Sequence, residues 1–382
     1  MADVGLNQNV TIGGRQFHIQ TATHVEEGIV RSEVFEKGRL LFVEAYPYER
    51  RDYKQERGAE FRLRKLVDQY HQSIIEEIDA IFEVSQALEE EDNVIAHEKM
   101  GLVFMYMYLF DRAKKHFRRA IGLDPNRYSS VLYLAKTYFM EKRYAQAEDV
   151  VARLLARKVR YPDLLNLAGM LALETGEIKK SLSYFKQAIA GNPSYVEAYL
   201  NLALALLRRI VQLRAGASEA ELHKHFKFLL VLLRKIESIG RVRERRLAGK
   251  LIQLVGKGNI KQAAGLLNEY RDKVYLRRVP PEIEGHKFYL RLRYSGHEMS
   301  PGTLANYEQS IRQAINENPS YPDLWNYLAL VHLMQSRLFF LTGLDDFREA
   351  TRINPAFEKA KKNLRLVEND GREFLSLIKT VL

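Results

Sequence analysis

No cysteine occurs among the 382 residues. That excludes disulfides, thiolate nucleophiles and thiolate-held zinc or iron–sulfur centres, and makes a reducing compartment, the cytoplasm, the expected location. Long hydrophobic runs are missing too. A stretch such as Phe228 to Leu233 falls well short of the roughly 18 apolar residues that cross a bilayer, so no transmembrane segment is expected. The opening MADVGLNQNVTIGG lacks the basic-then-apolar order of an export signal. Metal and phosphate motifs are also incomplete. His97-Glu98 is followed one turn later by Gly101 instead of a second histidine, and His223 and His225 point to different faces of a helix. GKGN at Gly256 to Asn259 has neither the earlier glycine nor the hydroxyl residue of a phosphate loop. The reading is therefore non-catalytic, with no cofactor and no metal.

Proline is scarce, 10 in all, and what there is keeps a rhythm. Pro125 and Pro193 close the helix-period runs HFRRAIGLDP and YFKQAIAGNP and lie 68 residues apart, twice 34. Pro319 and Pro355 close YEQSIRQAINENP and DDFREATRINP, 36 apart. From Val94 the chain carries Gly101, Phe104, Ala113, Phe117, Ala120 and Pro125; the next unit carries Leu134, Ala135, Tyr138, Tyr144 and Ala147 with Val159 at the proline position. A third carries Gly169, Gly176, Phe185, Ala188 and Pro193, and a fourth begins with Tyr199, Leu202 and Ala203. Its first helix runs on through LRRIVQLRAGAS, and the pattern returns at Ala314, Pro319, Trp325, Leu328, Ala329, Phe347, Ala350 and Pro355.

This order of small, aromatic and proline positions resembles the tetratricopeptide repeat, strongly over residues 94–207 and moderately over 300–368. The resemblance implies an α-solenoid of helical hairpins whose first helices line a concave, protein-binding groove. Carried over position by position, that groove is Glu98, Leu102, Met105 and Tyr106; then Leu132, Lys136, Phe139 and Met140; then Asn166, Met170, Leu173 and Glu174; then Leu200, Leu204, Leu207 and Arg208, with Asn201 beside them. Only Lys136 and Asn201 match the carboxylate-gripping set of some family members, so the expected client is an apolar or amphipathic peptide or helix. The chain's own helix at 57–90 or its insert at 208–285 is the competing occupant.

Residues 9–46 alternate with a period of two between glycine-marked turns, which predicts a small antiparallel sheet. Phe17, Ile19, Val34, Leu41 and Val43 are its expected core, covered by a helix near Arg57 to Glu90. FHIQT, VFEKGRLL and VDQYHQSIIEEI resemble a small module at the front of some bacterial proteins of unknown activity; His18 and His71 within it read as structural. The expected divisions are a β module (1–52), a connecting helix (53–92), a repeat array (93–208), a basic helical insert (209–285) and a second repeat-like segment with a capping helix (286–382).

The formal net charge is +11, and Arg234 to Arg293 alone holds 16 Lys and Arg against 6 Asp and Glu. Arg241, Arg243, Arg245, Arg246, Lys250, Arg277 and Arg278 stand out there. Such a face attracts nucleic acid, anionic lipid or acidic protein, whereas membrane binding also needs a bulky apolar face. Two functions follow as expectations. One is a scaffold or adaptor for a protein partner, by analogy with bacterial envelope, pilus or motility assemblies. The alternative is a nucleic-acid-associated protein acting through 234–293.

Overall fold

The computed structural model describes residues 3–48, 59–213, 219–276 and 278–381. The chain divides into two compact units, unit 1 (Met1–Leu109 with Val279–Leu382) and unit 2 (Phe110–Arg278). It is mostly α-helical, with one four-stranded antiparallel sheet at the N-terminus.

In unit 1 the strands β1 (Gly5–Ile12), β2 (Arg15–His24), β3 (Ile29–Glu36) and β4 (Arg39–Pro47) form a simple meander in the order β1-β2-β3-β4. Helix α1 (Ala59–Ala87) covers one face, burying Leu63, Val67, Ile74, Ile78 and Phe82, while Phe61 projects into solvent. The helix expected to cover the sheet does so. Phe17, Ile19, Val34 and Leu41 are buried as expected, but Val43 is exposed. The reason is a register shift: Val34 pairs with Phe42 and Phe35 with Leu40, leaving Leu41 as an extra residue. A bulge of one residue reverses the alternation beyond it, so Val43 turns outward and Glu44 and Tyr46 turn inward.

Unit 1 also contains α2 (Val94–Tyr106), α12 (Glu282–Tyr294), α13 (Pro301–Glu317), α14 (Pro322–Ile353) and α15 (Glu358–Val381). Helix α12 packs against α1, α2, α13 and α14, and Phe288, Leu304, Ile311, Leu324, Leu328 and Val331 form the core there. The hairpin expected between Trp325 and Pro355 is absent: α14 is one helix of 32 residues. RLFFLT at 337–342 offers no turn residue and Gly343 alone does not break a helix, so the chain runs straight through. Among the described residues α14 is also the one helix long and apolar enough to cross a membrane by length and composition; Leu324, Leu328 and Val331 place its first half in this core.

Unit 2 is built from α3 (Phe110–Leu123), α4 (Tyr128–Met140), α5 (Tyr144–Ala156), α6 (Pro162–Glu174), α7 (Ile178–Gly191), α8 (Val196–Leu213), α9 (Glu219–Ile239), α10 (Val242–Gly256) and α11 (Ile260–Tyr270). The repeat is visible in the backbone. Lys142 (φ 61°) and Gly176 (φ 83°) are left-handed turn residues in the α4–α5 and α6–α7 hairpins, and Tyr108 (φ 59°) in unit 1 precedes them in the same 34-residue step. Gly258 (φ 75°) plays the same part between α10 and α11, so the insert contains a hairpin of the same construction. Proline resets the chain by a shared turn: Asp124 and Asn192 each accept, through Oδ1, the N–H two residues on, across Pro125 and Pro193. Where Val159 replaces proline, α5 ends instead on the left-handed Lys158 (φ 60°). Small residues permit close approach, since a Cβ at Gly169 would lie 2.5 Å from the Phe185 ring.

These helices form two layers. α4, α6 and α8 touch in succession, and α3, α5, α7 and α9 each pack on the flanking members of that row. At the end the order changes: α10 packs on α9 and α11 on α8, so α8 to α11 close into a four-helix ring. Unit 2 holds 34 Lys and Arg against 15 Asp and Glu, a net of +19, while unit 1 nets −8. The positive excess therefore belongs to the whole of unit 2 and not to the 234–293 segment alone.

Candidate peptide-binding groove

Most of the expected groove residues occupy interior positions. In unit 1, α2 buries Leu102, Met105 and Tyr106. In unit 2, Leu132 and Phe139 of α4, Asn166, Met170 and Leu173 of α6, and Leu200, Asn201, Leu204 and Leu207 of α8 are all buried. Lys136 and Met140 on α4, Glu174 and Arg208 are half-buried. On α8 the cover is the chain's own. Arg208 Nη2 donates to Asn268 Oδ1 of α11 at 2.9 Å, and Arg271, in the π-helical turn that ends α11, donates through Nη1 to Glu174 Oε1 at 2.8 Å. Arg208 also donates to the Leu173 carbonyl, and Arg271 Nε to Asp272 Oδ1. So two groove positions, Glu174 and Arg208, are engaged by the insert, with the apolar side of α11 seated over α8. Burial and the charge of Glu174 raise the Tyr144 hydroxyl above its ordinary range.

Asn166 and Asn201 meet across successive first-layer helices, the Asn201 amide donating to Asn166 Oδ1 at 3.0 Å, and the Asn166 amide reaching the Tyr195 hydroxyl at 3.3 Å. Both asparagines are 2% exposed. With their polar atoms satisfied by each other, they pin neighbouring repeats and offer little to a ligand. Of the cationic positions singled out in the sequence, Arg241, Arg243, Arg245, Arg246, Lys250 and Arg278 are exposed on and around α10; Arg277 lies outside the described residues. Beneath them Glu244 is buried and accepts from the Tyr270 hydroxyl at 2.9 Å.

No sequence motif signals the charge network inside unit 1. Lys287 of α12, 6% exposed, lies 2.8 Å from Glu44, 3.1 Å from Glu284 and 3.9 Å from Glu77. Arg291 and the Tyr307 hydroxyl also reach Glu77, at 3.4 and 2.8 Å. For Lys287, burial alone would lower the pKa, but the three carboxylates outweigh it and hold the ammonium well above its ordinary value. Three carboxylates compete for it. Burial and the charges of Glu44 and Glu77 raise Glu284 to about 6 in spite of Lys287. Glu44, in which Lys287 outweighs burial, is held below its ordinary value. A cavity of about 180 Å³ lies alongside, lined by Tyr46, Pro280, Glu284, Gln313 and Glu317 among others.

A raised carboxyl has a signed consequence. The folded chain holds the Glu284 proton more tightly than the unfolded chain does, so this group's contribution to stability falls as pH rises from about 4.5 to about 6. Glu284→Gln is expected to stabilise unit 1 at pH 7.5 by up to about 2 kcal/mol. The difference should vanish below pH 4.5; a thermal shift measured at both pH values checks it, and a destabilised variant at pH 7.5 would overturn it.

Elsewhere in unit 1, His71 is 2% exposed and burial lowers its pKa. The neutral ring bridges Thr21 Oγ1 at 2.9 Å and Gln8 Oε1 at 3.2 Å, which ties α1 to the sheet. His18 meets Asn9 and Gln20 on the sheet's outer side. Among the described residues no group of three or more His, Asp or Glu is arranged to hold a metal ion.

Residues 108–171 and 166–221 match two family models, each described as tetratricopeptide repeat. Residues 108–221 therefore carry tetratricopeptide repeats, and the left-handed turns at Tyr108, Lys142 and Gly176 keep the same 34-residue step. No curated protein matches the sequence. Among solved structures the chain is similar to YrrB, described as a TPR protein with an unusual peptide-binding site (15% identity, 55% of this chain and 93% of that one, TM-score 0.33). It is also similar to a tetratricopeptide repeat protein from Parabacteroides merdae (16% identity, 74% and 99%, TM-score 0.34). A third is TTC0263, a thermophilic TPR protein in Thermus thermophilus (17% identity, 63% and 100%, TM-score 0.24). Repeats of this kind support a protein-interaction scaffold.

Proposed function

We propose that the protein is a non-catalytic scaffold that holds an amphipathic helix or extended apolar segment of a partner protein against its first-layer helices. One observation carries this reading: that layer already holds a helix. α11 lies on α8, held at its polar edge by Arg208 to Asn268 and Arg271 to Glu174, which is how a helix-in-groove complex is built. The accessible continuation of the layer is α4, where Lys136 and Met140 remain half-exposed; methionine adapts its shape to an apolar guest. The cysteine-free sequence suits the cytoplasm, and the resemblance of the N-terminal segment to a module of some bacterial proteins suits an envelope, pilus or motility assembly.

The experiment places a photo-crosslinking amino acid at Met140 in the full chain expressed in its source cell, with the exposed Ala152 of α5, on the second layer, as the control position. A discrete protein adduct at Met140 that is absent at Ala152 supports the proposal. Equal yields at both positions, or no adduct at Met140, would overturn it.

A further inference from the structure

Unit 2 carries its +19 net charge with a definite distribution. Residues 110–233, before the arginine-rich α10, hold 21 Lys and Arg against 11 Asp and Glu, and much of that excess faces outward on the second layer. Arg157 and Lys158 at the end of α5, Lys179 and Lys186 on α7, and Lys224 and Lys227 on α9 are all exposed. α7 contains no carboxylate at all. Exposed acids on the same layer are few, and two of them, Asp149 and Glu177, are already paired with Arg153 and Lys180. Lys186 stands over the Phe228 ring at 5.3 Å, which sets α7 and α9 side by side. α5 and α7 both pack on α6, and α7 and α9 both pack on α8; with packed helices roughly 8–10 Å apart, the three present cations over a width of roughly 20–30 Å.

We propose that this outer face of unit 2 binds duplex nucleic acid through its phosphate backbone, without reading base sequence. A long, uniform polyanion is the partner that can neutralise well-separated cations together. A single-strand platform would need a row of exposed aromatic rings for base stacking. The layer offers Phe228, which sits under Lys186; the exposed Tyr161 caps the first-layer α6 and is already packed edge-on against Tyr128. A lipid surface would need a continuous bulky apolar belt beside the cations, and exposed large apolar side chains in unit 2 are limited among the described residues to Tyr161, Phe228, Val231 and Val242. The surface is separate from the first layer and does not depend on the scaffold reading.

The test titrates the full chain into a fluorescein-labelled 25-base-pair duplex of arbitrary sequence and follows anisotropy as salt rises. Six phosphate contacts imply a log–log salt slope near −5, so affinity should fall roughly 10³-fold between 50 and 200 mM salt. Changing Arg157, Lys158, Lys179, Lys186, Lys224 and Lys227 together to Gln should weaken binding at least tenfold at 50 mM and flatten the slope. All six side chains are exposed, and circular dichroism checks that the fold survives. A second variant changes Arg243, Arg245, Arg246 and Lys250 to Gln and should bind nearly as the parent does. Three results would each overturn the proposal: no anisotropy change at 50 mM salt with the unmutated chain, loss confined to the α10 variant, or binding to phosphatidylglycerol vesicles with none to the duplex. Since the salt slope is read on the unmutated chain, the proposal stays testable even where the sixfold variant folds poorly.

Discussion

Replacing Lys287 with methionine is expected to destabilise unit 1 by about 3–5 kcal/mol, the usual consequence of removing one partner from a buried ion pair. The side chain fits the space, so the loss is electrostatic. Glu44, Glu77 and Glu284 would remain in the interior with Arg291, 3.4 Å from Glu77, as the nearest cation still paired to them. Their pKa values must then rise, and the folded variant takes up protons that the parent does not. The deficit should therefore shrink as pH falls from 7 towards 5. Urea unfolding followed by hydrogen exchange in peptides from residues 39–47 and 282–294 reports unit 1 alone. A deficit that is independent of pH would mean the methionine packs badly and that the charge argument is wrong.

The second large effect concerns the seat of α11. Arg271→Ala is expected to cost unit 2 about 3 kcal/mol, because it leaves Glu174 facing only Arg208 at 3.4 Å and removes a side chain that is itself 9% exposed. The damage should be local. Amide exchange should quicken through Ile260–Tyr270 and in the last turns of α8, where Leu207 and Ile210 lose cover, while α4 to α7 keep their protection. Uniform acceleration across unit 2 would show instead that α11 is part of one indivisible core. Lys at position 271 keeps the charge but not the two-sided reach to Glu174 and Asp272, so Arg271→Lys should recover only part of the loss.

How much is legible in the sequence differs sharply by region. The hairpins of unit 2 are readable because each is specified locally: a small residue where helices touch, such as Gly169 against Phe185, and a proline that halts the second helix. In the insert the sequence shows a helix pair through its apolar face, Leu247, Leu251, Val255, Ile260, Ala263, Leu266 and Leu267, and α10 and α11 form that pair. Without the aromatic and proline markers, their kinship to the repeat shows only in the turn at Gly258. Residues 322–353 mislead in the opposite way: Trp325, Phe347 and Pro355 keep repeat spacing, yet no turn residue interrupts them. The Lys287 network is invisible for a geometric reason. Strict alternation along RLLFVEAY sends Glu44 outward, and one extra residue at Leu41 sends it in. The positions expected to line an open groove fall on the first-layer helices, yet those on α8 are covered. Exposure is decided by what later chain returns over a surface, and no local pattern in α8 announces the arrival of α11.

That return has a kinetic side. In an open array each hairpin touches only its neighbours, and order spreads along the chain as in a one-dimensional lattice. Contact between Arg271 and Glu174, 97 residues apart in sequence, breaks that scheme by demanding a long-range closure whose loop entropy is lost before its contacts form. The ring of α8 to α11 should accordingly be the last part of unit 2 to assemble during synthesis, and while it is unmade the first-layer surface stands bare to whatever helix reaches it first.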